Sequence, residues 1–590
     1  MATLVVLLVM SMTASAQLRP EFRGRRGVVA AGRSHTAEAG ARMMMNGGNA
    51  IDAGVAAVFA AAVVEISHFG LGGEAPIIIY SARDRQVIVI NGQGRAPRAA
   101  TPALFAGKAA IPGNGPLGAT IPAVVDAATL ALARYGTKSL GDVLAPAVAL
   151  ADGFPMYDFL RRYLESERKG CEPYAWTMRT YYPEGRIPAA GEMFRQPNLA
   201  RTLRALADAE RAALAAGAGR EQAIRAGRDA FYKGDIARRM AAAVQEAGGV
   251  MTEADLAAYE GRIEEPTSAT YRGLTIYKAG PWNQGPVLLQ TLRLLEGFDL
   301  KSMGAGSADA VHVATEAVKL AYADRDRYYG DPDFVKVPMA ELLSDGYTTE
   351  RRALIDRAKA SLDTRPGDPA ARRALTEEER AAGGERREAA PASGEQSAAG
   401  GERREAAPAS VEKDTTAVEA VDKDGNLFSA TPSSGWLLGG AFVAADTGVP
   451  MSNRMQAFRL DPASPNVLAG GKRPRTTLTP TIVLQDARPF LAIGTPGGDS
   501  QDQQILNALQ LVASGKLVRR SSCAARGARD RGLRAGGRAR RAGASRARSS
   551  RTSRVRDLHR RGGSRDRSHD RPVEGRRGSA PRAVHRRVVS

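Results

Sequence analysis

The sequence predicts a layered α/β fold in which helices cover antiparallel strands. The first observation is an Ala- and Val-rich helical stretch, residues 50–65, followed by two β-branched stretches at residues 77–80 and 87–90. The second is a later pair of strand-like stretches, residues 481–484 and 490–493, joined by a short polar turn. A chain of 590 residues is also long enough to bury a large core.

The N-terminal helices are predicted from apolar spacing and from end signals. Residues 37–45 form a helix that stops at Asn46-Gly47-Gly48, where glycine supplies a left-handed C-cap. The helix over residues 50–65 should be buried on most sides because it is nearly all Ala and Val. The glycine-rich turn at residues 68–74 lacks GxGxxG spacing, so we interpret it as close backbone packing. Amphipathic runs predict further helices over residues 123–135, 140–152 and 199–216.

The middle of the chain alternates between strand and helix. Residues 274–278 read as a strand and residues 287–297 as a helix. Residues 307–327 form a longer helix whose stripe of alanines predicts close helix packing. A last helix is predicted through residues 505–512.

Residues 362–412 lose all apolar periodicity. The 13-residue text Ala-Ala-Gly-Gly-Glu-Arg-Arg-Glu-Ala-Ala-Pro-Ala-Ser occurs at residues 381–393 and again at 398–410. A duplication of alternating charge, rich in Ala, Gly and Pro, cannot build a core. We predict a flexible linker here.

A hairpin follows the linker directly. Its first strand begins at Thr415-Thr416 and ends at the turn signal Asp424-Gly425. Residues 427–432 form the returning strand of the hairpin. One interpretation is an ordinary hairpin with threonine at a strand start. The other is a cleavage point, after which the Thr415 hydroxyl becomes a nucleophile and its α-amino group the general base.

The charge of the chain is concentrated in its last residues. The formal net charge is +20, but residues 519–590 hold 24 Arg, no Lys and five acidic residues. That segment carries +19 and leaves +1 for the rest, so we predict no nucleic-acid partner for the body of the protein. Two cysteines form no disulfide framework, and the sequence contains no HExxH motif, no CxxC pair and no Walker loop. We therefore predict neither metal nor cofactor.

The N-terminus reads as an export signal. Residues 4–10 are apolar, and Ala14-Ser15-Ala16 has the small-x-small pattern of a signal-peptidase site. The apolar run is too short to span a bilayer, and the usual basic residues before it are missing. We predict a signal peptide over residues 1–16, a periplasmic or secreted protein, and no membrane anchor.

Ten short motifs, in one order, resemble the gamma-glutamyltransferase family of N-terminal-nucleophile hydrolases. Each motif is weak alone, but the set covers about residues 26 to 512. In chain order the matching stretches are residues 47–53, 64–73, 95–97, 294–300, 319–325, 330–335, 414–416, 421–426, 471–481 and 494–498.

The resemblance implies an αββα sandwich and a precursor that cuts itself between Asp414 and Thr415. Residues 17–414 would form the large subunit and residues 415–518 the small-subunit part, and the two fragments would remain together as a heterodimer. The enzyme would move a gamma-glutamyl group from an amide donor such as glutathione to water or an amine. By family position, Gly497 and Gly498 would form the oxyanion hole, Thr416 and Ser433 would steady the nucleophile, and Thr476 and Thr477 would hold the donor carboxylate.

Two departures from the family concern the donor. The arginine that binds the glutamyl carboxylate should lie where this chain has Gln93 and Gly94, and the acid that binds the glutamyl ammonium should lie within residues 453–458, which contain none. The candidates to replace the arginine are Arg95, Arg454 and Arg475. These departures keep two alternatives open: an acylase that acts on a non-glutamyl amide, such as a glutaryl or beta-lactam side chain, and an inactive family member.

The segment 519–590 has two interpretations. Its Arg, Gly, Ala and Ser text without periodicity fits a basic disordered arm. It also fits a frameshift, because GC-rich codons read out of frame give text of this composition. In addition, the segment stands where the family continues with strands and helices. We favour the frameshift, and translation of the gene in its other two frames after codon 515 decides between the two.

Overall fold

The computed structural model describes residues 22–108, 110–304, 306–376, 379, 415–435 and 438–514. The predicted signal peptide, most of the predicted linker, Asp414 and the segment 519–590 lie outside these residues. The bounds below refer to the described part of the chain.

Six antiparallel strands form the larger sheet, in the order β1-β11-β12-β2-β3-β6. The hairpin after the linker supplies β11 and β12, and these lie between β1 and β2 from the beginning of the chain. In register, Ala31 faces Val418 and Ile77 faces Ala430. The strands are β1 (Gly27–Ala31), β2 (Ile77–Ser81), β3 (Gln86–Asn91), β6 (Arg262–Glu264), β11 (Val418–Asp422) and β12 (Leu427–Ala430).

A second, four-stranded antiparallel sheet has the order β16-β15-β8-β7. It also combines segments from before and after the linker, because Ile482 pairs with Tyr277 across β15 and β8. Its strands are β7 (Thr267–Tyr271), β8 (Leu274–Lys278), β15 (Thr481–Gln485) and β16 (Arg488–Ile493). Three two-stranded ribbons are built from β4 (Phe154–Pro155) with β5 (Met193–Phe194), β9 (Gly367–Asp368) with β10 (Arg373–Ala374), and β13 (Val443–Ala444) with β14 (Val449–Pro450).

The two sheets face each other through one apolar layer. Side chains alternate across a strand, so Ile78 and Tyr80 point to the second sheet, where they meet Trp282 and Ile482. Ile77 and Ile79 belong instead to the core under the helices of the first sheet. A third core joins the outer face of the second sheet to its own helices. The layer order is helix, sheet, sheet, helix, which confirms the predicted αββα sandwich.

The first outer layer is built around α2, whose 15 residues are all buried. Asn49 caps this helix by accepting from the backbone N–H of Asp52 at 3.0 Å, and Asp52 accepts the N–H of Asn49 at 2.8 Å. The helices of the first half are α1 (Ser34–Met45), α2 (Ala50–Val64), α3 (Val124–Tyr135), α4 (Leu140–Asp152), α5 (Asp158–Cys171), α6 (Ala175–Tyr181), α7 (Pro197–Ala215), α8 (Arg220–Tyr232), α9 (Asp235–Glu246) and α10 (Glu253–Ala257).

The second outer layer packs α11, α13 and the last helix against β7, β8 and β15, through apolar residues such as Leu292, Leu320 and Leu509. The helices are α11 (Pro286–Glu296), α12 (Leu300–Met303), α13 (Ala308–Tyr328), α14 (Met339–Leu342), α15 (Asp345–Arg352) and α16 (Ser500–Ala513). The last helix begins at Ser500, five residues before the start predicted from apolar residues. The apolar pattern misses this start because the first turn of the helix is polar.

The β9–β10 ribbon overlaps the first residues of the predicted linker. Gly367 donates its backbone N–H to Asp324 at 3.0 Å, and its carbonyl accepts from Tyr328 at 2.6 Å. Residues 362–376 thus have defined contacts with α13, although they carry no apolar periodicity. The contacts are polar and backbone-mediated, which a pattern of apolar residues does not reveal.

We predict that Gly54→Ala destabilises the protein although alanine favours helices. A Cβ at Gly54 would overlap the ring of Phe428 on β12. Overpacking of this kind costs about 1–3 kcal/mol, which exceeds the gain of about 1 kcal/mol in helix propensity. Urea unfolding measures the difference. Gly141→Ala in α4 is the control, because its Cβ would meet its nearest neighbour at 3.6 Å, and it should be neutral or stabilising. An equal effect of both substitutions contradicts this packing.

Candidate active site

Thr415 stands just before β11 and is 6% exposed. The adjacent Thr416 fixes the chain there, since its backbone N–H donates to the carbonyl of Pro432 at 3.1 Å. A cavity of about 520 Å³ opens at Thr415. Its lining comes from the end of β1, the end of α2, β11 and the turn before α16: Ala30, Ala31, Gly32, Arg33, Glu65, His68, Thr415, Thr416, Ala417, Glu419, Pro496, Gly497, Ser500 and Gln504.

The turn between β16 and α16 presents two glycines in left-handed or near-forbidden conformations. Gly497 has φ 124° and Gly498 has φ 56°, values that side chains resist. The carbonyl of Gly497 accepts from the backbone N–H of Ser500 at 3.1 Å, and that of Gly498 from Gln501 at 3.1 Å. Within the described residues, neither glycine N–H donates to an acceptor. Gly497 lines the Thr415 cavity, whereas Gly498 does not belong to its lining.

The hydroxyl of Thr416 lies against β1 and α2. Its Oγ1 is buried and has no hydrogen-bond partner in the described part of the chain. A Cβ at Gly32 would overlap both Thr416 Oγ1 and a carboxylate oxygen of Glu65, so glycine is required at this position. Glu65, which is 2% exposed, accepts from Thr36 at 2.6 Å. Sequence reasoning assigned no role to Gly32 or Glu65, because nothing local marks them as neighbours of Thr415.

Ser433 belongs to a buried polar group with Arg454 and Glu74. Arg454 donates to Ser433 Oγ at 2.8 Å and to Glu74 Oε1 at 2.5 Å. Ser433 and Glu74 also exchange backbone hydrogen bonds of 3.0 and 2.9 Å. Burial raises the pKa of Glu74, and the Arg454 guanidinium opposes this. Arg454, predicted to bind substrate, is thus an internal partner of Ser433 in this structure.

The other predicted donor-binding residues lie outside the cavity lining. Arg95 donates to Asp333 at 2.8 Å and to the carbonyl of Gly471 at 2.9 Å. Thr476 is 1% exposed, and its hydroxyl accepts the N–H of Leu478 at 3.3 Å, whereas the neighbouring Thr477 is partly exposed. Asp414, the other half of the predicted cleavage site, is outside the described residues.

Glu419 is an acidic residue of the cavity that sequence reasoning did not single out. It lies on β11 opposite Ser429 of β12. Its Oε1 is buried without a hydrogen-bond partner among the described residues. Burial raises the pKa of Glu419 well above its usual value of 4.5, and the Ser429 hydroxyl lowers it only in part.

Comparison with known proteins identifies the family. The model of the gamma-glutamyltranspeptidase family matches residues 36–525. The chain belongs to this family. The match covers every strand of the two sheets except β1, and it includes Thr415, so the resemblance read from the ten motifs is confirmed.

Three relatives show how this family member compares. The glutathione hydrolase proenzyme of Escherichia coli (strain K12) is 33% identical over 512 residues, which cover 83% of this chain and 78% of the relative. The solved structure of LmbA2991HD is 37% identical with a TM-score of 0.73 and covers 84% of this chain and 82% of its own. The cephalosporin acylase from Bacillus halodurans is 28% identical with a TM-score of 0.70, covering 86% and 84%. The family thus includes glutathione hydrolases and an acylase.

None of the described helices is long and apolar enough to cross a membrane. In the described part of the chain, no group of three or more His, Cys, Asp or Glu is arranged to hold a metal ion.

We predict that Glu419→Gln stabilises the protein more at pH 8 than at pH 5. The raised pKa means that native Glu419 keeps a proton which the unfolded chain releases above about pH 4.5. This residue's contribution to the free energy of unfolding therefore falls as the pH rises towards its native pKa, and glutamine removes that loss. Urea unfolding at the two pH values measures the change in the free energy of unfolding that the substitution causes. Glu38→Gln, at an exposed position, is the control. A difference that does not depend on pH contradicts the prediction.

Proposed function

We propose that this protein is a self-processing gamma-glutamyl hydrolase and transferase with Thr415 as its nucleophile. The observation that carries the proposal is that Thr415, just before β11, lines one cavity with Gly497. The backbone N–H of Gly497 donates to no acceptor among the described residues. A nucleophile and an oxyanion-binding donor in one cavity are what acyl transfer requires.

The first reaction is cleavage of the chain itself. The Thr415 hydroxyl attacks the carbonyl carbon of Asp414, the acyl group moves from nitrogen to oxygen, and water splits the resulting ester. The products are a large subunit that ends at Asp414 and a small subunit that begins at Thr415. The name proenzyme, borne by the Escherichia coli relative, supports this step.

The two fragments have a structural reason to stay together after cleavage. β11 and β12 belong to the small subunit and pair with β1 and β2 of the large subunit. β15 pairs with β8 in the same way. Each sheet is thus shared, and separation would expose buried strands on both sides.

The second reaction is acyl transfer from an amide donor. Cleavage gives Thr415 a free α-amino group, whose usual pKa of about 7.7–8.0 leaves a neutral fraction able to take the hydroxyl proton. The hydroxyl attacks the donor carbonyl, and the N–H groups of Gly497 and Gly498 stabilise the oxyanion. The amine leaves with a proton, and water or another amine then takes the acyl group from Thr415. Thr416 and the Ser433–Arg454 pair hold the nucleophile in place.

For the donor, we propose the gamma-glutamyl group, with Thr476 and Thr477 towards its carboxylate. One of the three relatives named above, the glutathione hydrolase proenzyme, and the family itself carry this chemistry in their names. An exported protein fits such a reaction on extracellular peptides, and the small-x-small site at residues 14–16 supports export.

A second candidate is an acylase for a non-glutamyl amide. The observation that favours it is that the three candidate arginines for a glutamyl carboxylate are all paired with acidic residues of the protein. Arg95 is paired with Asp333, Arg454 with Glu74, and Arg475 with Asp326 at 3.1 Å. Similarity to a cephalosporin acylase adds to this. Hydrolysis of a glutaryl anilide but not of a gamma-glutamyl anilide would select the acylase.

We predict that the wild-type chain separates into two fragments on a denaturing gel and that Thr415→Ala does not. Alanine lacks the attacking oxygen, whereas Thr415→Ser keeps it and should cut, though more slowly. Thr101→Ala, at an exposed position, is the matched control and should cut like the wild type. A folded wild-type chain that stays uncut favours an inactive family member.

We predict that Gly497→Ala lowers kcat about 10²–10³-fold on whichever of the two anilides the wild-type chain hydrolyses. This is the usual loss when one oxyanion donor is removed. At φ 124° alanine must shift the turn, and its Cβ would stand 2.6 Å from Ser500 Oγ. Gly273→Ala controls for backbone strain alone, since Gly273 has φ 80° with open space around it. It should cost stability but little kcat. Equal kcat for both variants removes Gly497 from the mechanism.

A further inference from the structure

The turn between β16 and α16, which carries Gly497 and Gly498, runs directly into the helix. Ser500 donates its backbone N–H to the carbonyl of Gly497 at 3.1 Å, and Gln501 donates to the carbonyl of Gly498 at 3.1 Å. The direction of the two glycine N–H groups is therefore tied to the place where α16 begins. Contacts that fix the start of the helix also fix the N–H groups proposed to bind the oxyanion.

The start of α16 is held by polar contacts. Its first five residues, 500–504, are all polar, and the apolar residues that pack against the second sheet begin only at Ile505 and continue with Leu506 and Leu509. Apolar packing thus secures the later turns of the helix, whereas the first turn depends on other partners.

A buried ion pair joins the first turn of α16 to β8. The Nζ atom of Lys278, the last residue of β8, lies 3.0 Å from Oδ1 of Asp502. The two side chains are 0% and 2% exposed. The proposed reaction uses neither of them.

Two threonines complete the surroundings of the Lys278 ammonium group. It donates to Thr481 Oγ1 at 2.7 Å and to the carbonyl of Thr479 at 3.0 Å, and it also contacts the hydroxyl of Thr479. That hydroxyl donates in turn to Asp502 Oδ1 at 2.8 Å. Thr481 is the first residue of β15, so the ammonium group connects two neighbouring strands with the start of the helix.

Arg325 of α13 provides a second attachment of the same turn. It donates to Oδ1 of Asp499 at 2.7 Å and to Oε1 of Gln284 at 2.8 Å. Gln284 Nε2 donates to the carbonyl of Gly498 at 3.5 Å. The turn is therefore attached to α13 through Arg325 and to β8 through Lys278.

We propose that Lys278 and Asp502 are positioning residues that hold the turn between β16 and α16 in the conformation that binds the oxyanion. The inference rests on the proposed function and deepens it. The cost of taking two charges out of water largely cancels their attraction in a buried ion pair, so the pair acts on the position of α16 more than on net stability. A displacement of about 1 Å can lower a rate about 10²-fold.

Turnover by Lys278→Met is the first test, because methionine keeps the length of the side chain without its charge or its N–H donors. We expect kcat per cleaved chain to fall about tenfold to a hundredfold on the anilide that the wild-type chain hydrolyses, with KM within about twofold. Unchanged kcat overturns the proposal.

Arg228→Met is the matched control. Arg228 pairs with Asp126 at 2.7 Å between α8 and α3, and the two side chains are 3% and 8% exposed. Loss of this buried pair should lower the melting temperature of the protein without lowering kcat.

The double variant Lys278→Met/Asp502→Leu separates position from stability. Apolar replacement of both partners of a buried pair is often neutral or stabilising, so the melting temperature should return towards the wild-type value. The value of kcat should stay low, because the polar contacts that hold the turn are still missing. Recovery of kcat together with the melting temperature overturns the proposal.

Combination with Gly497→Ala shows whether Lys278 acts through the turn. Two substitutions that act through the same group do not multiply their effects on a rate. We therefore expect Lys278→Met to change kcat little in the Gly497→Ala chain. A further loss as large as that in the wild-type chain contradicts the proposal.

Hydrogen exchange in the full-length Thr415→Ala chain tests the turn without catalysis. Mass spectrometry should show faster exchange of the backbone amides of residues 494–502 in Lys278→Met and in Lys278→Met/Asp502→Leu. Arg228→Met should leave this exchange unchanged, and an equal increase there would assign the effect to lost stability and refute the proposal. If Lys278→Met folds but is not cleaved, this measurement decides.

The proposed function fails by a different result. If the wild-type chain neither cuts itself nor hydrolyses an anilide, but exchange in residues 494–502 still depends on Lys278, the restraint on the turn stands and the reaction does not. If the wild-type chain is active and neither kcat nor exchange depends on Lys278, the reaction stands and the positioning role is refuted.

Discussion

The pairing of β11 with β1 is the constraint on which the site depends. It brings a segment that begins at residue 415 beside residues 27–31 through a continuous antiparallel ladder. Asp422, at the end of β11, fixes the same hairpin to the start of α2, since it accepts from the N–H of Ala50 at 2.9 Å and from Asn426 at 2.7 Å. The backbone just before β11, where Thr415 stands, is therefore held beside β1 and the residues that follow β12.

The cavity follows from that pairing because each of its walls is the end of an ordered element. β1 ends just before Gly32 and Arg33, α2 ends just before Glu65, and the turn before α16 presents Gly497. The glycines matter where the walls approach most closely, as at Gly32, where a Cβ would overlap the hydroxyl of Thr416. The site is thus a junction of two layers and tolerates little change in side-chain volume.

Charge in this region is buried in two different ways. Glu74 is paired through Oε1 with Arg454, which also donates to Ser433, whereas Glu74 Oε2 is buried without a hydrogen-bond partner among the described residues. Glu419 has no cationic partner among the described residues, and its burial raises its pKa well above the usual value. An ion pair offsets part of the cost of burying a carboxylate, whereas a buried carboxylate without a cationic partner is costly unless it keeps its proton.

The sequence by itself determined much of this protein. Apolar period and turn residues predicted α2, the hairpins and the strand at residues 274–278, because local patterns decide which face of an element is buried. The ordered set of short motifs predicted the family and, through it, the importance of Thr415. Only the tertiary structure decided which distant residues meet there. It placed Glu65, Gly32 and Glu419 around Thr415, and it showed Arg95 and Arg454 engaged with Asp333 and Glu74. Pairing between strands hundreds of residues apart has no local signal, and an arginine's partner depends on that pairing.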